Sequence, residues 1–321
     1  MKRFIQNLLV FFGLLVLGMF GMIVFKYFVI GSQYKYSYVA SFYDKIERLE
    51  SINEPKIILV GNSNPAFGMN SEKLEKSMGM PVVNLGLHNN LGSAFHEQMA
   101  KFNINKGDIV VVCHTDYYND NILDRTLAWV TIDNHLNAMR VLRLKDFTWI
   151  AMVYHTYYKK TLELAVTNKG NINEVGSHSR YSVNNYGDII FRPEEDQLNE
   201  EELFLQGSSI NHLPPIGEDA IKRLNDFNKY INDRGAYMVI AGYPLIDSKY
   251  SNYNESDVNR FQTVLSDNVD CDVISSFNDY MLPCDYFFDH LFHLTEEGAD
   301  IRTDLLISDL KKWQEEKQQK N

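Results

Sequence analysis

The sequence predicts an α/β protein, a three-layer α/β/α domain on a parallel sheet preceded by one N-terminal transmembrane helix. Three observations carry that prediction. Residues 8–25 are apolar without a single charge, and about 20 such residues suffice to cross a bilayer as a helix. Short apolar runs then recur at 57–60, 81–85, 108–114 and 236–241. Each is too brief for a helix and is bounded by turn residues, the pattern of strands buried on both faces. Between them lie segments of helical period, and strand–helix alternation implies a parallel sheet sandwiched between helices.

Residues 1–31 read as an uncleaved signal anchor, with 5–30 in the lipid bilayer. Lys2 and Arg3 precede the apolar run, and Phe28-Val29-Ile30 extend it past Lys26; basic residues on the near side favour a cytoplasmic N-terminus. The rival is a cleaved secretory signal, but the run exceeds a usual h-region and no small-x-small site follows it. Either reading sends the rest of the chain outside the cytoplasm. Residues 32–55 are expected to form a juxtamembrane helix and linker, with the helix at 41–53 packed on the domain, because Ile46, Leu49 and Ile52 recur at helical spacing before Glu54-Pro55 ends it.

Residues 56–321 are expected to form one large domain. The strand at 57–60 is followed by a helix at 72–78, and the strand at 81–85 by a helix at 91–101. The strand at 108–114 is entered from the turn Asn105-Lys106-Gly107. A helix at 218–234 leads to the strand at 236–241, which Gly242-Tyr243-Pro244 closes. A helix at 257–265, a short strand at 272–274 and a last helix from Glu297 to about Trp313 follow, with a fraying tail over 311–321. The segment 117–215 breaks this rhythm. It carries apolar residues at 127–132, a helix at 144–165 and the polar stretch Asn184-Asn185-Tyr186-Gly187-Asp188. At about 100 residues it is too long for a simple loop and reads as an insertion capping the strand ends.

The net charge of −11 excludes nucleic acid as a partner, since phosphate binding needs a basic face. Three cysteines make no disulfide framework. Cys271 and Cys284 are able to pair in an oxidising compartment, but isolated thiols are the expectation, with Cys113 buried in a strand. No histidine pair shows ligand spacing with matching carboxylates, so neither a metal nor a cofactor is expected. Trp149, Tyr154, Tyr157 and Tyr158 of the insertion are expected to serve packing.

The chemistry points to Gly61-Asn62-Ser63-Asn64. Ser63 falls just outside the carboxyl end of a strand, where open α/β sheets bind ligands. A serine hydroxyl needs a base within reach and a group that orients the base. Asp289-His290-Leu291-Phe292-His293 offers both. Pro65 stands where a nucleophile elbow requires glycine, which disfavours the α/β-hydrolase fold.

Taken together, Gly61-Asn62-Ser63-Asn64, Asn84-Leu85-Gly86, and Asp289 with His293 resemble the blocks of the SGNH (GDSL-like) hydrolase superfamily. More narrowly, the chain resembles the membrane-anchored branch that includes DltD-like proteins and the alginate O-acetylation proteins. Lys106-Gly107-Asp108 and Leu294-Thr295-Glu296-Glu297-Gly298 extend the likeness. The resemblance implies a serine-dependent O-acyl esterase or O-acyltransferase acting on a cell-envelope glycan through an acyl-enzyme on Ser63. His293 would be the base, Asp289 the carboxylate that fixes its tautomer, and the N–H groups of Ser63 and Gly86 oxyanion donors. It further implies a single-pass bacterial membrane protein with an extracytoplasmic domain, partnered by a multi-spanning O-acyltransferase.

Two departures stand out. Asp289 precedes His293 by four residues where the superfamily has three, and the third block reads His114-Thr115-Asp116-Tyr117 with no asparagine before Asn119. Asn64 is the expected substitute donor. His290 is a second candidate base, ranked behind His293 because Phe287 stands three residues before it. His88 and His96 are expected at a rim or on the surface. Two alternatives follow: a catalytically inactive SGNH-fold scaffold or chaperone of the cell envelope, or a secreted lipase-like esterase with an apolar cleft.

Overall fold

The computed structural model describes residues 1–118, 122–133, 135–172, 176–209 and 213–320. Helix α1 (Lys2–Phe25) continues through a π turn to Ile30, giving 29 residues long and apolar enough to span a membrane or to act as a signal sequence. Its end is keyed into the body of the protein. The buried Lys26 ammonium pairs with Asp133, which also accepts the Tyr157 hydroxyl.

The strands are β1 (Ile57–Val60), β2 (Val82–Asn84), β3 (Ile109–Val112), β4 (Tyr237–Ile240), β5 (Leu245–Ile246), β6 (Asp272–Val273) and β7 (Met281–Leu282). The central sheet has the order β2-β1-β3-β4-β6 with every pair parallel. The helices that follow α1 are α2 (Ser41–Ser51), α3 (Ser63–Gly68), α4 (Ser71–Met78), α5 (Ser93–Ala100), α6 (Arg125–Ile132) and α7 (Leu144–Val166). They continue with α8 (Glu200–Ser209), α9 (Glu218–Asn232), α10 (Glu255–Asn268) and α11 (Glu296–Lys320).

Period-2 alternation sends successive strand residues to opposite faces, and both faces are covered. Ile58, Val60, Val110 and Val112 pack with Phe42 and Leu49 of α2, Phe95 of α5 and Phe227 of α9. Ile57, Leu59, Ile109 and Val111 pack with Leu74 of α4 and Leu306, Leu310 and Trp313 of α11. Double-sided burial is why the strands read as unbroken apolar runs.

Several expectations need correction. The helix read within residues 32–55 is α2, which lies in the main core, and its buried Lys45 ammonium donates to the carbonyls of Asn84 (3.0 Å) and Gly187 (2.5 Å). The insertion does more than cap strand ends, because it covers the edge strand β2. Asn84 N–H donates to the Tyr186 carbonyl at 2.8 Å. The Asp188 carboxylate accepts from Ser71 N–H (2.8 Å), the Ser71 hydroxyl (2.6 Å) and the Asn84 amide (2.8 Å). Gly187 holds a φ of +105°, and a Cβ there would lie 2.1 Å from the Asn84 carbonyl oxygen, so the crossing requires glycine. β5 and β7 form a separate parallel pair that two-residue strands do not announce in sequence. α11 does not fray at residue 311; the Trp313 indole donates to Asp272 at 2.7 Å and the helix runs on to Lys320. All three cysteines are free thiols.

Candidate active site

The chain leaves β1 outward to β2 and returns to β3 on the other side, so the topological switch point lies at the carboxyl ends of β1 and β3. Val60 and Val112 pair in register, and the two strands end level. Gly61-Asn62-Ser63 exits β1 there. Asn62 is extended and caps α3, its side-chain oxygen accepting Asn64 N–H at 3.0 Å. Pro65 falls in the first turn of α3, where its missing N–H costs no helix bond. The strand therefore breaks directly into a short helix whose first residue is Ser63, a helix the sequence did not announce.

Ser63 Oγ lies 2.7 Å from His293 Nε2, and His293 Nδ1 lies 2.7 Å from Asp289 Oδ1. These partners assign the tautomer: Nδ1–H donates to the carboxylate and the Nε2 lone pair faces the hydroxyl. The four-residue spacing works because the two residues share a pinched loop. Phe288 N–H donates to the His293 carbonyl at 2.9 Å, His293 N–H to the His290 carbonyl at 2.9 Å, and Phe287 bridges Leu294. His290 opens on the same cleft, but its Nδ1 accepts Phe292 N–H at 3.3 Å. His293, not His290, meets Ser63.

Burial pushes the His293 imidazole below its ordinary pKa, against the opposing pull of the Asp289 hydrogen bond and charge. Burial alone would raise the Asp289 carboxyl; the hydrogen bond and charge of His293 outweigh it, and the group lies below the usual carboxylate range. His290 is pushed down to about 4, first by burial and then by the nearby His293. At neutral pH the His293 imidazole is therefore neutral and the Asp289 carboxylate ionised.

Sequence reasoning missed three supporting residues. Phe67, one helical turn after Ser63 on α3, stacks flat on the His293 ring at 3.9 Å with an interplanar angle of 7°. The helix carrying the hydroxyl also fixes the plane of the base. This i,i+4 relation becomes visible only once α3 is recognised. Arg302 of α11 is wholly buried and clamps the same helix. It donates to the Asn64 carbonyl (3.0 Å), Asn64 Oδ1 (2.7 Å) and the Gly242 carbonyl (3.2 Å). The third is Asn89. Asn62 Nδ2 donates to Asn89 Oδ1 at 3.0 Å and to Thr115 Oγ1 at 2.5 Å. Asn89 lines the same cleft as Ser63, and with its oxygen bonded to Asn62 the amide nitrogen is its remaining polar group. The signal was the run His88-Asn89-Asn90 just after the second block.

The expected oxyanion donors fare unequally. Ser63 N–H heads α3 and makes no hydrogen bond to protein among the described residues. Asn64 is not the third donor. It is wholly buried, and its amide protons go to Asn62 Oδ1 (2.7 Å) and the Cys113 carbonyl (2.6 Å). The Gly86 N–H is also committed, donating to Asn84 Oδ1 at 2.9 Å in an Asx turn. A Cβ on Gly86 would lie 2.6 Å from Ala66 N, so this glycine serves the close approach of the second block to α3. Asp116 closes a turn by accepting Tyr118 N–H at 2.8 Å, and Asn119 lies outside the described residues.

The cleft over Ser63 has a volume of about 420 Å³ and is bordered by His88, His178, His290 and His293, with Asn89, Asn90, Tyr38 and Phe292. His178 comes from the insertion and sets Nδ1 3.7 Å from Asp289 Oδ2. His88 is at the rim as expected, whereas His96 is buried, 1% exposed, beside Phe95 and His114. Tyr154 and Tyr157 pack against Trp129, and Trp149 is exposed beneath Arg125. None of these aromatics borders the cleft. Compared with known proteins, the chain matches no family model, no curated protein and no solved structure.

Proposed function

We propose that the chain is a serine-dependent O-acyl esterase or O-acyltransferase with an SGNH-like domain, acting on a cell-envelope glycan through an acyl-enzyme on Ser63. The observation that carries this reading is the unbroken relay from the Ser63 hydroxyl through His293 to Asp289, 2.7 Å at each step. In acylation, Ser63 Oγ attacks the ester carbonyl carbon as its proton passes to His293 Nε2. Asp289 steadies the imidazolium, and the carbonyl electron pair becomes an oxyanion facing Ser63 N–H and the Asn89 amide. Collapse breaks the bond to the leaving hydroxyl, which takes the proton from His293. Water or a sugar hydroxyl then repeats the sequence on the acyl-enzyme.

Phe292 and the Tyr38 ring are the main apolar surfaces of the cleft. That lining favours a short acyl group and a hydroxyl-rich partner over the long chain a lipase would need. The length of α1 supports a single-pass anchor with the domain extracytoplasmic; the bilayer segment read as 5–30 ends short of Lys26, which the domain's Asp133 holds. On this reading a multi-spanning O-acyltransferase delivers the acyl group.

A fluorophosphonate probe tests the proposal. Applied to the full-length protein in detergent, it should leave a single adduct on the peptide containing Ser63. A folded protein that takes up no probe would favour the second reading, an inactive scaffold. The observation behind that reading is that the Asn64 amide and the Gly86 N–H are spent internally. Asn89→Ala tests the oxyanion site. Loss of one preorganised oxyanion donor costs about 10²-fold in turnover, so kcat for p-nitrophenyl acetate should fall by that factor with little change in KM. An unchanged kcat would remove Asn89 from the oxyanion site.

A further inference from the structure

We propose that the cleft also holds a zinc site, at which Zn²⁺ is bound by His178, Asp289 and His293 and the base is switched off. Zinc binding itself does not depend on the esterase reading; only its consequence for turnover rests on that reading. One nitrogen of each histidine and one Asp289 oxygen lie within 4.8 Å of one another. A tetrahedral zinc ion with bonds of about 2.0–2.1 Å brings its ligand atoms to roughly 3.4 Å apart. Asp289 is already placed between the two rings, Oδ1 at 2.7 Å from His293 Nδ1 and Oδ2 at 3.7 Å from His178 Nδ1. Only small movements convert the cluster into a two-imidazole, one-carboxylate site, with the fourth position open to the cleft for water.

His178 can make that movement. Its side chain is 53% exposed, and its Nδ1 meets the Ser177 hydroxyl at 3.1 Å, a single neutral hydrogen bond to exchange for the metal. The insertion therefore brings to the relay an imidazole for which acyl transfer has no use. Imidazole nitrogens select zinc and its neighbours in the first transition row over magnesium or calcium.

The chemistry of inhibition balances simply. A zinc–nitrogen bond forms at His293 Nδ1, and the proton that Nδ1 shared with Asp289 passes through water to Nε2, so the ring stays neutral with no net loss of a proton. Nε2–H then donates to Ser63 Oγ instead of accepting from it. The Asp289 oxygen that oriented the base turns to the metal. Ser63 keeps its place but loses its activation, which a chelator restores.

The test uses metal-free full-length protein in detergent, titrated with Zn²⁺ in competition with a chromophoric chelator. One equivalent should bind. His178→Ala should weaken binding by no less than about tenfold, since even an outer-shell partner is worth that much, and His178→Cys, which restores a zinc-competent ligand, should recover it. Zn²⁺ should slow fluorophosphonate labelling of Ser63 in the wild type, reversibly with chelator, and should slow it far less in His178→Ala. Equal affinity in wild type and His178→Ala, or no stoichiometric binding, overturns the site. Stoichiometric binding sensitive to His178, with Ser63 unlabelled whether or not metal is present, would keep the zinc site and reject the esterase reading.

Discussion

His293→Ala is expected to lower p-nitrophenyl acetate turnover by about 10⁴-fold or more, and Ser63→Ala by a comparable factor, because the hydroxyl and its base act as one unit. The structure makes this comparison sharp, because one nitrogen of His293 touches Ser63 and the other touches Asp289. His290→Ala should leave most of the turnover, since that ring lies 5.3 Å from His293, centroid to centroid, and its Nδ1 is turned to its own loop. Asp289→Asn should fall between, and Asp289→Asn/His293→Ala should be no slower than His293→Ala alone. The pH profile supplies the sign. The base works when neutral, and burial holds His293 below the ordinary imidazole value of about 6.5, so the acidic limb of kcat/KM should lie below that pH. Asp289 favours the imidazolium, so Asp289→Asn should move the limb to still lower pH while depressing the plateau. A silent Asp289→Asn would mean the orienting carboxylate is another group, and a more damaging His290→Ala would reassign the base.

Much of the scaffold was legible because two-sided burial writes itself as short apolar runs. β1 coincides with its predicted stretch, and β2, β3 and β4 lie within theirs and are shorter. Ser63, His293 and Asp289 were legible as residue types at suggestive places. Their meeting depends on a loop closed by Phe288 and His293, a contact that local spacing does not encode. The donors were misread for a definite reason. Asn64 follows a serine at a helix start, and adjacency in sequence says nothing of direction; the first turn of α3 sends its side chain inward to Cys113 and Arg302. Asn89 was overlooked because its role depends on Asn62, a cap whose amide faces a segment 27 residues away. α2 was legible as a helix from Ile46, Leu49 and Ile52, but the burial of Lys45 was not, because its ammonium is satisfied by carbonyls of distant segments.

Arg302→Met is expected to destabilise the fold by about 3–5 kcal/mol, as three buried carbonyl and amide oxygens lose their donor at roughly 1–3 kcal/mol each and the apolar replacement recovers part of that. At about 2 °C per kcal/mol for a chain of this size, the thermal midpoint should fall by roughly 6–10 °C. The side chain is wholly buried, and its partners are the Asn64 and Gly242 carbonyls and the Asn64 amide oxygen. Burial lowers its pKa, countered by Cys113 and Tyr280, but a guanidinium stays charged even so. Arg302→Lys should not rescue, because one ammonium cannot span Asn64 and Gly242 as a fork does. The functional consequence follows from what Asn64 holds. It joins the start of α3 to the end of β3, directly beside Ser63 and one turn before Phe67, which backs His293. Both substitutions should therefore slow probe labelling of Ser63 at a temperature where the protein remains folded. A midpoint within 2 °C of wild type, or labelling at the wild-type rate, would show that α3 holds its position without the clamp.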